Sequence, residues 1–148
     1  MVGKREKLKV ALPITKKIMD REKLTELYRK YDLTENDFFK HQHYTIVTRS
    51  GIEKIQATEQ IVIDYEVIEC TPNFAAVKAR CNKGGGNIET FASALKGGSY
   101  KDGNTQSWYV LELAEKRAFS RIVLRYIDLY KEGFFAEDES EDFKKKDA

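Results

Sequence analysis

Residues 108–129, WYVLELAEKRAFSRIVLRYIDL, carry two stripes of side chains at helical spacing. Apolar residues recur every three or four positions, which is typical of a helix that buries one side. This apolar stripe consists of Leu111, Ala114, Ala118, Ile122, Tyr126 and Leu129. Arg117, Arg121 and Arg125 are four residues apart, so they project along one line of the helix, with Lys116 beside them. The segment therefore predicts a long helix with an apolar side and a cationic side.

Length and composition favour one soluble globular domain. The chain has 148 residues, 41% of them hydrophobic, with eight Phe and eight Tyr, which is sufficient for a packed core. Two cysteines do not suggest a disulfide framework, and they fit a reducing cytoplasm. No apolar run approaches the ~20 residues that span a bilayer, and residues 1–17 lack the apolar segment of a secretory signal.

Charge is distributed unevenly along the chain. Residues 131–148 contain seven acids and four lysines, a net charge of −3, which leaves +5 on residues 1–130 in a chain of net charge +2. We predict a basic arm over residues 1–19, a folded domain over residues 20–130 and an acidic flexible tail over residues 131–148. Such tails can compete for a basic nucleic-acid-binding surface. An inert, solvated tail is an equal alternative.

Periodicity predicts an α+β fold. Helical spacing indicates a helix over residues 21–31, capped by Asp20, and a second over residues 50–59, capped by Thr48. A short turn is expected after Thr34. The period then changes from helical to alternating, which predicts strands. Short strands are expected at residues 43–47, 60–70, 74–82 and 88–95. The predicted architecture is a three-stranded antiparallel β-meander packed against a long C-terminal helix, with N-terminal helices and a flexible loop over residues 96–106.

Cations also lie on the predicted meander and on the loop before the long helix. Lys78 and Arg80 share the polar face of the second meander strand, and Phe91 and Tyr100 are interleaved with the cations. Phosphates bind cations and unpaired bases stack on aromatic rings, so this combination suits single-stranded nucleic acid. Alternating charge is also the ordinary appearance of a half-exposed strand. The candidate nucleic-acid-binding residues are Lys78, Arg80, Lys83, Lys96, Lys101, Lys116, Arg117, Arg121 and Arg125.

Motifs for catalysis, cofactors and metals are absent from the sequence. No GxxxxGK[ST] phosphate-binding loop and no recognisable nucleophile motif occurs, so we expect no catalytic residues and no cofactor. His41 and His43 could be grouped with Cys70 and Cys81, but the CxxC spacing of a zinc site is missing and no metal is predicted. The cysteines are expected in or near the core. A metal-dependent nuclease that uses acids of the first meander strand is the weakest alternative.

Three segments resemble a known group of phage and prophage proteins. They are TRSGIEKI at residues 48–55, AEKRAFSRIVL at residues 114–124 and GFFAEDE at residues 133–139, with a meander and a Gly/Asn-containing loop between the first two. They are similar to single-strand annealing proteins of the RecT, Erf and Rad-type superfamily. The resemblance covers roughly residues 45–140.

The resemblance implies a function as well as a fold. It implies a homo-oligomeric ring or filament that binds and anneals single-stranded DNA in recombination and repair, without catalysis, in the cytoplasm of a bacterial host. An exonuclease or a single-strand-binding protein is the implied partner. Arg117 and Arg121, with Lys116 and Arg125, would lie along the DNA groove. Lys78, Arg80 and Lys83 would support them from the sheet. The alternative is a phage accessory module that binds proteins and no nucleic acid.

One part of the chain departs from the related pattern. The segment QSWYVLEL, which precedes and begins the long helix, contains no proline, whereas related sequences often have one there. Trp108 and Tyr109 could stack on bases or anchor the helix on the sheet. We favour the anchor because a lone tryptophan is usually largely buried.

Overall fold

The structure, a computed structural model, describes residues 21–99 and 101–143. The chain groups into two units, Met1–Thr34 and Glu35–Ala148, which differ from the predicted domain boundaries. In the first unit, residues 21–31 are helical as predicted and form helix α1, in which Leu27 and Tyr31 are buried. The predicted basic arm, the Asp20 cap and Tyr100 lie outside the described residues.

The second unit contains a helix-covered meander. Its elements are β1 (Phe38–His41), β2 (Tyr44–Val47), α2 (Arg49–Glu59), β3 (Asp64–Cys70), β4 (Phe74–Lys83), β5 (Gly86–Leu95), α3 (Val110–Tyr126) and β6 (Phe134–Ala136). Strands β3, β4 and β5 form an antiparallel sheet in that order, and α3 packs against β4 and β5. The predicted α+β class, with a three-stranded meander against a long helix, is confirmed.

The central strand of the meander follows its sequence alternation. Ala75, Val77, Ala79 and Cys81 of β4 are buried on the side that α3 covers. Strand β3 differs, because it begins at Asp64 rather than at residue 60 and all seven of its residues are exposed. Gln60 instead caps the end of α2 in a left-handed conformation, and residues 61–63 connect this cap to β3.

Helix α2 begins as its sequence predicts. The hydroxyl of Thr48 accepts a hydrogen bond from the backbone N–H of Gly51 at 3.3 Å, which satisfies one of the unpaired donors of the first turn. Ile52 and Ile55 are fully buried. The cap and the inward-facing residues of this helix are therefore confirmed.

A second, smaller sheet was not predicted. Strand β1 pairs antiparallel with β2, and β6 pairs with β2 in parallel. The turn predicted after Thr34 is a 3₁₀ turn, Glu35–Asp37, and Phe38 begins β1. Phe134 and Ala136 of β6 are buried, and two short 3₁₀ turns, Glu137–Glu139 and Glu141–Phe143, follow. The prediction of a flexible tail from residue 131 is wrong through Phe143, because its apolar residues complete this sheet.

Helix α3 is buried on two sides. One side packs on β4 and β5, and other parts of the helix contact α2, β6 and the Glu137–Glu139 turn. Two members of the predicted apolar stripe, Leu111 and Tyr126, are only partly buried. Conversely, several residues outside that stripe are buried, namely Val110, Arg117, Ser120, Val123 and Leu124. The helix is also shorter than the predicted 108–129.

The loop between β5 and α3 is hydrogen-bonded to itself and to β5. Lys96 forms a bridge with Thr105, and the Gly97 N–H donates to the Thr105 carbonyl at 2.9 Å. The Asn104 N–H donates to the Leu95 carbonyl at 2.8 Å. The expectation of a flexible loop therefore does not fit its described residues.

Two glycines of this loop provide a test of its close packing. In Gly103→Ala the new Cβ would overlap the Leu95 carbonyl oxygen and lie 2.7 Å from the Gly97 nitrogen. We expect a loss of about 1 to 3 kcal/mol in the free energy of unfolding, measured by chemical denaturation. Gly98→Ala is the matched control, because nothing lies within 4 Å of its Cβ position. Equal stability of the two variants would contradict the described loop.

Candidate nucleic-acid interface

Arg117 lies in the interior and does not line a groove. Its side chain is only 4% exposed. Its guanidinium donates to the backbone carbonyls of Ser93 (2.9 Å), Asn104 (3.1 Å) and Asp138 (3.0 Å), and also to the Asn104 Oδ1 (3.1 Å). Burial lowers the pKa of this guanidinium, and the nearby Glu141 and Asp138 raise it. The prediction that Arg117 binds DNA is wrong, because its donors are already used inside the fold.

Arg121 and Arg125 are exposed, but they also bond within the chain. The Arg121 Nη1 lies 3.2 Å from the Glu139 Oε1, and the Arg125 Nη1 donates to the Glu89 carbonyl at 2.9 Å. The carboxylate of Glu139 also accepts bonds from the Tyr130 hydroxyl (2.6 Å) and the Ala136 N–H (2.7 Å). Its pKa is raised by burial, although these three donors lower it. We call Arg117, Arg121 and Arg125 the arginine row. Acids that were expected in a solvated tail thus contact part of this row.

The exposed face of the meander is not basic. Cross-strand register places Asp64 and Glu89 beside Arg80, and Glu66 beside Lys78. The Lys78 Nζ lies 2.9 Å from the Glu66 Oε2 and 4.0 Å from the Glu89 Oε1. The hydrogen bond that Lys78 donates to Glu66 is the main reason that the pKa of Lys78 is raised. The supporting role predicted for Lys78 and Arg80 is therefore not favoured, since carboxylates flank both cations.

Lys83 lies at the end of the meander next to α3. Its ammonium donates to the Tyr126 carbonyl and lies 5.1 Å from the centroid of the Tyr126 ring. A cation at the C-terminal end of a helix is favoured by the helix dipole. A neighbouring cleft of about 480 Å³ is lined mainly by polar side chains, including Arg80 and Asp64. Through its contacts with Tyr126, Lys83 stabilises the C-terminal end of α3.

Lys96, another of the predicted cations, lies beside an exposed pair of aromatic residues. The Trp108 side chain is 66% exposed and that of Tyr109 is 72% exposed. The Lys96 Nζ lies 4.0 Å from the centroid of the Trp108 ring, a cation–π contact. We call Lys96, Trp108 and Tyr109 the aromatic rim. The expectation that Trp108 anchors the helix on the sheet is wrong, because its ring is largely exposed and α3 begins only at Val110.

Lys101 and Lys116 are both exposed, the first in the loop between β5 and α3 and the second on α3. Sequence reasoning missed Asn104, which is the main contact of Arg117 in that loop. Its only signal was its place in a Gly-Asn-Thr turn, and such turns are common.

The described residues provide no cluster of three or more His, Cys, Asp or Glu side chains that could hold a metal ion. The His41 ring packs against that of Phe143, with centroids 5.5 Å apart. Cys81 is buried as expected, but Cys70 is exposed, because β3 is an edge strand that α3 does not cover.

Comparison with known proteins gave no relative. No family model, curated protein or solved structure matches the chain. Among the helices in the described part of the chain, none is long and apolar enough to cross a membrane.

Replacement of Arg117 tests its structural role. We expect Arg117→Ala to lower the free energy of unfolding by about 3 kcal/mol, because buried carbonyl groups lose their donors. Arg117→Lys should restore little, since an ammonium cannot reproduce the planar set of donors. Arg125→Ala is the matched control on the same helix and should cost at most about 1 kcal/mol. Chemical denaturation that gives equal losses at the two positions would contradict this role.

Proposed function

We propose that the protein binds single-stranded DNA and promotes annealing of complementary strands as a multimer, without covalent chemistry. The observation that carries the proposal is the exposed Trp108–Tyr109 pair beside the Lys96 ammonium. The resemblance of residues 114–124 to annealing proteins supports the same function. In this proposal, DNA contacts the aromatic rim rather than the arginine row. Lys101 and Lys116 are further cations that could contact phosphates.

The aromatic rim has the chemistry that an unpaired strand needs. Every base has a π face, so stacking on Trp108 and Tyr109 would hold bases with little sequence preference. Lys96 and Lys101 would neutralise phosphates and reduce the repulsion between two approaching strands. The bonds of Arg117 to Asn104 hold the loop that carries both lysines. The buried arginine would thus position the site without touching DNA.

The few cations near the rim require several subunits to act together. Two or three phosphate contacts per subunit bind weakly at physiological salt, whereas linked subunits on one strand gain avidity. The proposal accordingly includes a homo-oligomer. The setting implied by the resemblance is a bacterial cytoplasm, where an exonuclease or a single-strand-binding protein would supply or cover the strands.

The second candidate function is protein interaction without nucleic-acid binding. Exposed Trp and Tyr side chains are also enriched at protein interfaces and dominate their binding energy. On that reading the aromatic rim would contact a partner protein. The two readings differ in one measurable respect, because only the first requires the rim to respond to a single strand of arbitrary sequence.

Trp108 is the only tryptophan in the chain, so its fluorescence reports directly on the rim. We expect an oligonucleotide of mixed sequence to quench this fluorescence. Tyr109→Ala should weaken binding by about 5- to 150-fold, which corresponds to about 1 to 3 kcal/mol for one stacked base. Phe91→Ala is the matched control, because Phe91 is 59% exposed on the acid-rich sheet face. Absence of quenching at low salt, or equal effects of the two variants, would overturn the assignment.

Annealing and assembly are tested together. Labelled complementary strands should anneal faster with increasing protein, and light scattering should show a mass above that of one subunit on the bound strand. Lys101→Gln should reduce the dependence of log affinity on log salt by about 0.7, the value for one phosphate contact on a single strand. Binding without accelerated annealing would leave a single-strand-binding protein and exclude an annealing protein.

A further inference from the structure

The two edges of the meander are exposed to different degrees. On the outer edge of β5, the Glu89 carbonyl accepts from Arg125 and the Ser93 carbonyl accepts from Arg117. The Leu95 N–H donates to the Asn104 Oδ1 at 2.8 Å, and the Leu95 carbonyl accepts the Asn104 N–H. This edge therefore has few backbone groups left for another strand.

No described residue pairs with the outer edge of β3. All seven residues of Asp64–Cys70 are exposed, and within residues 21–99 and 101–143 no hydrogen bond other than those to β4 reaches their backbone. A row of exposed N–H and C=O groups is a template for one more strand. As far as the described residues show, a further strand can therefore pair with β3 without displacing side chains that are already bonded to the sheet edge.

An irregularity in β3 places its acidic side chains on one face of the sheet and its apolar side chains Tyr65 and Val67 on the other. The register with β4 shifts between Val67 and Glu69, so Ile68 is the additional residue of a bulge. Because Asp64, Glu66 and Glu69 pair with Arg80, Lys78 and Ala76, all three acids lie on the polar face of the sheet. Without the bulge, Glu69 would face the other side.

The opposite face of β3 is apolar and only partly covered. Tyr65 and Val67 pair with Ala79 and Val77, so they face the side on which α3 lies. They remain 40% and 52% exposed, because α3 packs over β4 and β5 and not over this edge. Burial, together with the charge of Glu115 on α3, raises the pKa of the Tyr65 hydroxyl to about 12. A strand beside β3 would cover these two side chains.

We infer that β3 binds an extended basic segment of a partner protein, which adds a fourth strand to the sheet. Backbone hydrogen bonds would supply binding, and the alternating side chains would supply specificity. Apolar residues of the partner would pack beside Tyr65 and Val67. Its lysines or arginines would face Asp64, Glu66 and Glu69. Two copies of β3 side by side would bring six carboxylates together, so charge disfavours self-pairing. This inference does not depend on DNA binding.

The probe is a labelled peptide of about seven residues that alternates lysine and valine, studied with the full chain. We expect anisotropy to show binding, and hydrogen exchange to show new protection at the backbone amides of β3. A peptide that alternates glutamate and valine should bind at least tenfold more weakly. A lysine–valine peptide with N-methyl groups along the edge that pairs with β3 should lose most of its affinity, because it retains the charges but cannot donate to the strand.

Two variants distinguish binding of the peptide at β3 from its general attraction to an acidic surface. Glu69→Lys should weaken binding of the lysine–valine peptide at least tenfold, whereas Glu112→Lys, an exposed acid on α3, should change it less than twofold. If Glu69→Lys fails to fold, Glu69→Gln should still weaken binding by a smaller factor. Protection at β5, equal binding of the N-methylated peptide, or no binding at all would overturn the inference. Concentration-dependent protection of β3 in the protein alone would assign the edge to a second copy and also overturn it.

Discussion

The guanidinium of Arg117 joins three segments that are distant in sequence. It donates to Ser93 on β5, to Asn104 in the following loop and to Asp138 after β6. A buried charge is tolerated only when its donors are satisfied, so these carbonyls must remain where they are for the fold to persist. Arginine suits this position because its planar group presents five donors in a fixed arrangement. The loop and the C-terminal segment therefore depend on a helix residue that looks solvent-facing in the sequence.

This arrangement changes which cations are displayed. The arginine row is bonded to the edge of β5 and to the C-terminal acids, whereas Lys96 lies against the exposed Trp108 ring and Lys101 is exposed in the same loop. The polar face of the sheet combines four acids with Lys78 and Arg80. A polyanion would be repelled from that face and attracted to the aromatic rim. The proposed DNA contact and the proposed peptide edge thus have opposite electrostatic character.

The surface of β3 depends on a single additional residue. The bulge at Ile68 puts Glu69 on the same side as Glu66 and Asp64, and leaves Tyr65 and Val67 on the other side. Strict alternation in the sequence would instead place Glu69 on the same face as Tyr65 and Val67. Bulges cannot be read from alternation, because they are defined by pairing with the neighbouring strand.

Local patterns in the sequence determined the elements that have one buried side. The alternation of Ala75 to Cys81, the Thr48 cap and the helix over residues 21–31 all appear where the residues predict them, since each depends on neighbours in the chain. Only the tertiary structure determined the burial of Arg117, the exposure of Trp108 and the pairing of β6 with β2. Helical periodicity identifies one stripe that needs burial, but α3 is covered on two sides. Residues 134–143 pack against the second side of α3. Their acidic residues suggested exposure to solvent, but burial of Phe134 and Ala136 holds the segment against the fold.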